Sequence, residues 1–181
     1  MKNVLLISIC KEPLHEYEFV KPIEDILERG EISCKNIHYQ NFREEDLSSA
    51  DAIIIAGTSL KDYKFIEDIK MFKWIKNTKI PILGICGGMQ IIGLIYDGKL
   101  KSGTEIGYFN ESFTENFLGL TGDQEVYHLH NNHLDKNSLE NFKFYTKGTI
   151  TQAIKHNNKE IYGTLFHPEV RNKKLILEFV K

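Results

Sequence analysis

The first half of the chain alternates short apolar runs with longer stretches whose apolar residues recur every three or four positions, and this pattern constrains the fold more than any other feature. A run that is apolar at nearly every position must be covered on both faces, as in a parallel sheet enclosed between helices. Val4 to Ile9, Ser33 to Tyr39, Ala52 to Ala56 and Pro81 to Ile85 are predicted as strands. Phe19 to Glu31 is predicted as a helix, with Phe19, Ile23, Ile26 and Leu27 on one face, Pro22 in its first turn and Gly30 near its end. The same spacing predicts helices over Phe65 to Ile75 and Met89 to Tyr96. Together these units give an α/β fold, with Cys86 at a strand-to-helix turn.

After Tyr96 the segments become shorter and more polar. Lys99-Leu100, Ile106 to Phe109, Glu125 to Leu129, Phe142 to Tyr145, Thr149 to Lys155 and Glu160 to Leu165 are predicted as short strands in antiparallel hairpins, with Asn157-Asn158 as a turn. Leu175 to Val180 is predicted as a closing helix. No internal repeat or low-complexity linker separates the halves, so residues 1–181 are expected to form a single domain.

With 23 Lys and Arg against 25 Asp and Glu spread along 181 residues, a mainly electrostatic nucleic-acid binder is disfavoured. Apolar runs such as Ile80 to Cys86 fall far short of the ~20 residues of a membrane helix. The N-terminus lacks a cleavage site and reads as a first strand, so no membrane association and a cytoplasmic location are expected. Cys10, Cys34 and Cys86 are odd in number and unlike in context, which argues against a disulfide framework.

Gly84-Ile85-Cys86-Gly87-Gly88 has the layout of a nucleophile elbow. A sharp turn exposes the side chain of its central residue, and flanking glycines let neighbouring backbone pass closely. Backbone N–H groups opening the next helix can then hold developing negative charge. Alone, the motif is equally a buried cysteine in a tight turn. Phe166-His167-Pro168-Glu169 adds the missing chemistry, because the residue before a proline is biased toward extended backbone, where side chains two apart point the same way. An imidazole and a carboxylate are thereby paired, as a base with its orienting acid.

These two motifs carry a resemblance. Gly84 to Gln90 resembles the G-I-C-x-G-x-Q elbow of the class I glutamine amidotransferases, the triad type, and Tyr162 to Glu169 resembles their Y-G-x-Q-F-H-P-E segment. The resemblance implies a flavodoxin-like three-layer sandwich with a mostly parallel central sheet and antiparallel additions in the C-terminal half. It implies that Cys86 is the nucleophile, His167 the general base and acid, and Glu169 its orienter. Gly57 and Gly87 would donate N–H groups to the oxyanion, with Thr58 a substitute for Gly57, and Gln90 would help bind substrate. The substrate implied is L-glutamine, hydrolysed through a cysteine thioester, with ammonia passed to a separate synthetase subunit, most nearly of the GMP synthase type. No metal or organic cofactor is implied. The chain departs from the family pattern at Gly87, at Leu165 in place of Gln, and at Ala56-Gly57-Thr58-Ser59 in place of a double glycine.

The same triad would serve a γ-glutamyl hydrolase acting alone, and the same fold a non-catalytic glutamine-binding regulatory protein. His128, His130 and His133 form the most unusual remaining stretch. Motif spacing offers them no acidic or cysteine fourth ligand, which disfavours zinc. They read either as solvated histidines on a hairpin or, with His130 the best match, as a segment facing the synthetase. Gly103 to Tyr108 would line the glutamine pocket by analogy. Cys10 and Cys34 read as small buried residues, and Lys61, Lys64, Lys70, Lys73 and Lys76 as a solvated helix face.

Overall fold

The computed structural model describes residues 2–181. Five strands lie parallel: β1 (Asn3–Ser8), β2 (Ser33–His38), β3 (Ala52–Ile55), β4 (Ile82–Ile85) and, much later in the chain, β9 (Ile161–Thr164). β8 (Ala153–His156) and β7 (Phe142–Phe144) extend the same sheet antiparallel, giving the order β2-β1-β3-β4-β9-β8-β7. This is the flavodoxin-like arrangement with an antiparallel edge, in which sites form beyond the carboxyl ends of the strands.

The continuous apolar runs are explained by burial on both faces. Val4, Leu6, Ile54 and Leu83 point into one core with Ile23 and Leu27 of α2 (Lys21–Arg29) and with Ile176 of α5 (Lys174–Val180). Leu5, Ile7, Ile53 and Ile55 point into the other, with Phe65 of α3 (Lys64–Glu67), Phe72, and Ile92 of α4 (Gly87–Ile95). A short turn of helix, α1 (Glu16–Phe19), leads into α2 and buries Phe19. Phe65 to Ile75 is not one α-helix: after α3 the chain tightens into a 3-10 helix over Ile69–Lys76. Ile69, Phe72 and Ile75 recur at every third residue, and three residues per turn keep them on one face.

The larger correction lies in the second half. Leu100–Phe117 (β5) and Leu120–Leu134 (β6) form one long antiparallel hairpin, a separate two-stranded sheet, where several short strands were predicted. Its turn is Leu118-Gly119, at φ 48° and 87°. Two successive residues with positive φ match the twist of a tight hairpin, although leucine rarely adopts this conformation. The turn at Asn157-Asn158 lies between β8 and β9, where it was expected. No helix among the described residues is long and apolar enough to cross a membrane.

Two glycines of the β4–α4 turn permit contacts that no other residue allows. A Cβ on Gly84 would come to 2.5 Å from the Gly88 carbonyl oxygen, and a Cβ on Gly88 would run into the carbonyl of Ile55 on β3. At Gly30 the obstacle is only the tip of the Leu177 side chain, at 2.7 Å. In urea unfolding, Gly88→Ala is therefore expected to cost about 2–3 kcal/mol and Gly30→Ala less than about 1 kcal/mol. Equal losses for the two would contradict this account of the turn.

Candidate active site

Cys86 follows the last residue of β4 and caps α4, with φ 50° and ψ −102°. That combination is unfavourable for any residue with a Cβ and is held by the packing around it. The Cys86 N–H donates to Thr164 O of β9 at 2.7 Å, tying the turn to the neighbouring strand. The first helical bond of α4 runs from Gln90 N–H to Cys86 O. The N–H groups of Gly87, Gly88 and Met89 therefore lack acceptors within the helix and remain available to an anion. Gly87 itself is dictated by packing, since a Cβ there would lie 2.7 Å from Ile9 Cδ1 and 3.4 Å from Phe65 Cζ.

Because β4 and β9 are adjacent and parallel, the segment after β9 emerges beside the cysteine. Phe166 is buried in the core and His167 N–H donates to Tyr127 O of β6 at 2.8 Å, which fixes the backbone on both sides of the ring. The His167 ring nitrogen Nδ1 donates to Glu169 Oε1 at 2.6 Å, with both side chains buried. A Cβ on Gly57 would lie 2.9 Å from His167 Cε1 and 3.4 Å from Cys86 Cβ, so this bare stretch of backbone touches both groups at once. The cysteine, imidazole, carboxylate and Gly57 are thus brought together as the sequence predicts.

Burial alone would disfavour the charged ring of His167, but the Glu169 carboxylate, and then Cys86, outweigh it and hold the imidazole well above its ordinary proton affinity. The other two cysteines differ in kind. Burial pushes the Cys10 thiol up to about 11 and the Cys34 thiol up to about 12, so neither is a nucleophile near neutral pH.

A small cleft lies over the sulfur, bounded by Thr58 to Leu60, Cys86-Gly87, Gln90 and Leu129 to Asn132. Three contacts from β6 shape it. The Cys86 thiol donates to Leu129 O at 3.5 Å, Gln90 Nε2 donates to Asn132 O at 3.0 Å, and Asn131 Nδ2 donates to Leu60 O at 3.1 Å. The wall is β6 and not the predicted Gly103 to Tyr108, which backs it from the far strand. Leu165 is fully buried in the core away from the cleft, so its difference from the family pattern does not alter the lining.

Asp62 is a site residue that the sequence did not single out. Its carboxylate accepts from Thr58 Oγ1 at 2.7 Å, Lys11 N–H at 2.7 Å and Lys64 N–H at 3.1 Å, and so clamps the loop that carries Gly57. Glu105 is another. Its Oε2 lies 3.0 Å from His128 Nδ1 and 2.9 Å from His130 Nε2, and accepts from Gln152 Nε2 at 2.8 Å. His128 and His130 are buried, and His133 is half-buried, so none of the three is a freely solvated surface histidine. The carboxylate absent from motif spacing is supplied across the hairpin, from the strand opposite.

Curated relatives include the glutamine-hydrolyzing GMP synthase of Spiroplasma kunkelii, 30% identical over 77% of this chain and 28% of its own length. Another is a subunit of the glutamine-hydrolyzing GMP synthase of Methanobrevibacter smithii, 34% identical over 55% of this chain and 56% of its own length. The chain thus spans under a third of the first and about half of the second. Among solved structures, a Thermoplasma acidophilum protein provisionally assigned as a GMP synthase subunit superposes with TM-score 0.85 at 19% identity, covering 99% of this chain and 92% of its own. A glutamine amidotransferase of Thermotoga maritima superposes with TM-score 0.73 at 19% identity, covering 96% and 78%. At that identity these two establish the fold. The family model described as glutamine amidotransferase class-I matches residues 16–179, and on that match the chain belongs to the class I glutamine amidotransferases.

Proposed function

We propose that residues 1–181 act as one amidotransferase domain that hydrolyses the side-chain amide of L-glutamine and passes ammonia to a separate synthetase of the GMP synthase kind. The observation that carries the reading is the convergence on Gly57 of a strained cysteine and a buried imidazole already bonded to a carboxylate. In this reading Cys86, His167 and Glu169 are the catalytic triad. The Cys86 thiol passes its proton to His167 as the sulfur attacks the carboxamide carbon, and the backbone N–H groups of Gly57 and Gly87 hold the resulting oxyanion. His167 gives its proton to the departing ammonia, which leaves a γ-glutamyl thioester. It then takes a proton from water, which attacks the thioester to release glutamate and restore the thiol. Glu169 keeps the ring in one orientation throughout. Gln90 and the β6 carbonyls border the space for the substrate's amino-acid end.

Similarity to the glutamine-hydrolyzing GMP synthases of Spiroplasma and Methanobrevibacter supports the glutamine-hydrolysing reading over a γ-glutamyl hydrolase or a regulatory binder. It also supports the synthetase as acceptor. The decisive experiment is labelling with a glutamine-mimicking electrophile followed by peptide mapping. Modification confined to Cys86 is expected, and modification of Cys10 or Cys34 with Cys86 untouched would overturn the assignment.

In glutaminase assays with the synthetase present, Cys86→Ala is expected to abolish glutamate release and Glu169→Gln to lower turnover about 10³- to 10⁴-fold. The raised proton affinity of His167 also predicts a pH-dependent stability. A group whose folded-state value is raised contributes fully below its unfolded value, about 6.5 for histidine, and the contribution fades as pH climbs through the raised value. The stability advantage of the wild type over Glu169→Gln in urea unfolding is therefore expected to be larger at about pH 6 than at about pH 9. A gap that widens toward alkaline pH would refute it.

A further inference from the structure

At the cleft wall and behind it, the hairpin gathers two histidines and two glutamates that are not part of the triad. Cross-strand register places Glu105 opposite His130 and Gly107 opposite His128. One carboxylate oxygen, Glu105 Oε2, meets His130 Nε2 at 2.9 Å and His128 Nδ1 at 3.0 Å. The three candidate ligand atoms all lie within 4.8 Å of one another.

The hydrogen bonding of this cluster is incomplete. His130 Nδ1 is 3.2 Å from Gly103 O, an atom that only accepts, so Nδ1 carries a proton and donates. In the neutral ring Nε2 is then a lone pair, and it faces a carboxylate oxygen at 2.9 Å. Two electron-rich atoms stay that close only with a proton or a cation between them. His128 is fully buried and neither of its ring nitrogens makes an aligned hydrogen bond. Filling the place between His130 Nε2 and Glu105 Oε2 with a proton makes either a charged His130 imidazole or a protonated Glu105 carboxyl.

We propose that Glu105, His128 and His130 form a binding site for a divalent transition-metal ion of the zinc class. Two imidazoles and one carboxylate, with a fourth position left for water, are a donor set that such ions take. In a tetrahedral zinc shell, ligand atoms stand about 3.3 Å apart, so small movements outward from 2.9 and 3.0 Å admit the ion. The surroundings orient the ligands. The Gly103 carbonyl fixes which His130 nitrogen is free, Gln152 Nε2 holds Glu105 at 2.8 Å, and Phe109 stacks on the His128 ring at 4.5 Å between centroids. Glu111 Oε1, 3.6 Å from His128 Nε2, places a further carboxyl behind the ring. The ion would clip β5 to β6 on either side of Leu129, whose carbonyl meets the Cys86 thiol. The site stands independently of the glutaminase reading, because its ligands are not the triad.

The test is titration of the full chain, stripped of metal by a chelator, with Zn²⁺ followed by calorimetry and with Co²⁺ followed by visible absorption. One equivalent of saturable binding is expected, with a higher Tm and with tetrahedral Co²⁺ bands that lack a sulfur-to-metal charge-transfer band. Glu105→Gln and His128→Gln are each expected to weaken binding by more than about 100-fold, while His133→Gln leaves it unchanged. Absence of saturable binding in the wild type would overturn the proposal. So would binding that survives both ligand substitutions, or a charge-transfer band that disappears together with binding in Cys86→Ser. If a ligand variant does not fold, the wild-type Co²⁺ spectrum decides, since nitrogen and oxygen ligation without sulfur supports the site and any other spectrum overturns it.

Discussion

The close approach of α4 to the sheet is the constraint on which the rest depends. Gly84 and Gly88 nearly touch, Gly88 lies against the Ile55 carbonyl, and the chain between them must reverse within four residues. Cys86 absorbs that reversal in its own backbone, at φ 50°. The strain is tolerable because Ile82, Leu83 and Ile85 before the turn, and Ile91 and Ile92 after it, are buried in the two cores and cannot rearrange cheaply. The sulfur is therefore placed by the packing of the sheet and helix, before any substrate is present. The helix that begins at this turn offers its free N–H groups in the same place.

A second consequence of the sheet is that residues 81 positions apart become neighbours. β9 returns after the hairpin and the β7–β8 pair to lie parallel to β4, with Ile85 opposite Thr164. Chains leaving the carboxyl ends of adjacent parallel strands emerge on one side of the sheet, so Cys86 and His167 share an edge. Glu169 needs no further topology, because it follows its histidine by two residues and bonds to it at 2.6 Å. The carboxylate offsets the cost of enclosing a charged ring, which is why the pair is found together in the interior.

These same features explain what could be read in advance. β1, β3 and β4 were legible because strands buried on both faces must be apolar throughout, and the histidine–carboxylate pair because its spacing is local. The hairpin was not legible. Much of β5 is exposed, including Lys101, Ser102, Thr104 and Asn110, so no apolar periodicity marks its 18-residue length. Its turn uses a leucine at positive φ, which no turn preference signals. Asp62 was hidden among the lysines around it, since a carboxylate that clamps a loop and a solvated one look alike in sequence. Glu105 was hidden by distance along the chain, because its partner is 25 residues away and only the cross-strand register joins them.

The hairpin matters to the site more than its separation from the main sheet suggests. Leu129 meets the thiol, Asn131 holds Leu60 in the loop that carries Gly57, and Asn132 holds Gln90 of α4. These contacts reach three different elements, so the cleft has its shape only when β6 sits in one register. A slip of one residue would turn every side chain of β6 to the opposite face. A two-stranded ribbon has little intrinsic stability, and this one is anchored by Phe113, Phe117 and Val126 in the core and by the polar cluster around Glu105. The cluster lies next to the register shift between Ser102 and Glu105, where the ladder is interrupted and regular pairing does least to fix the strands. Holding Glu105 there, from β6 and from Gln152 at the approach to β8, makes the position of the cleft wall depend on a few buried polar contacts.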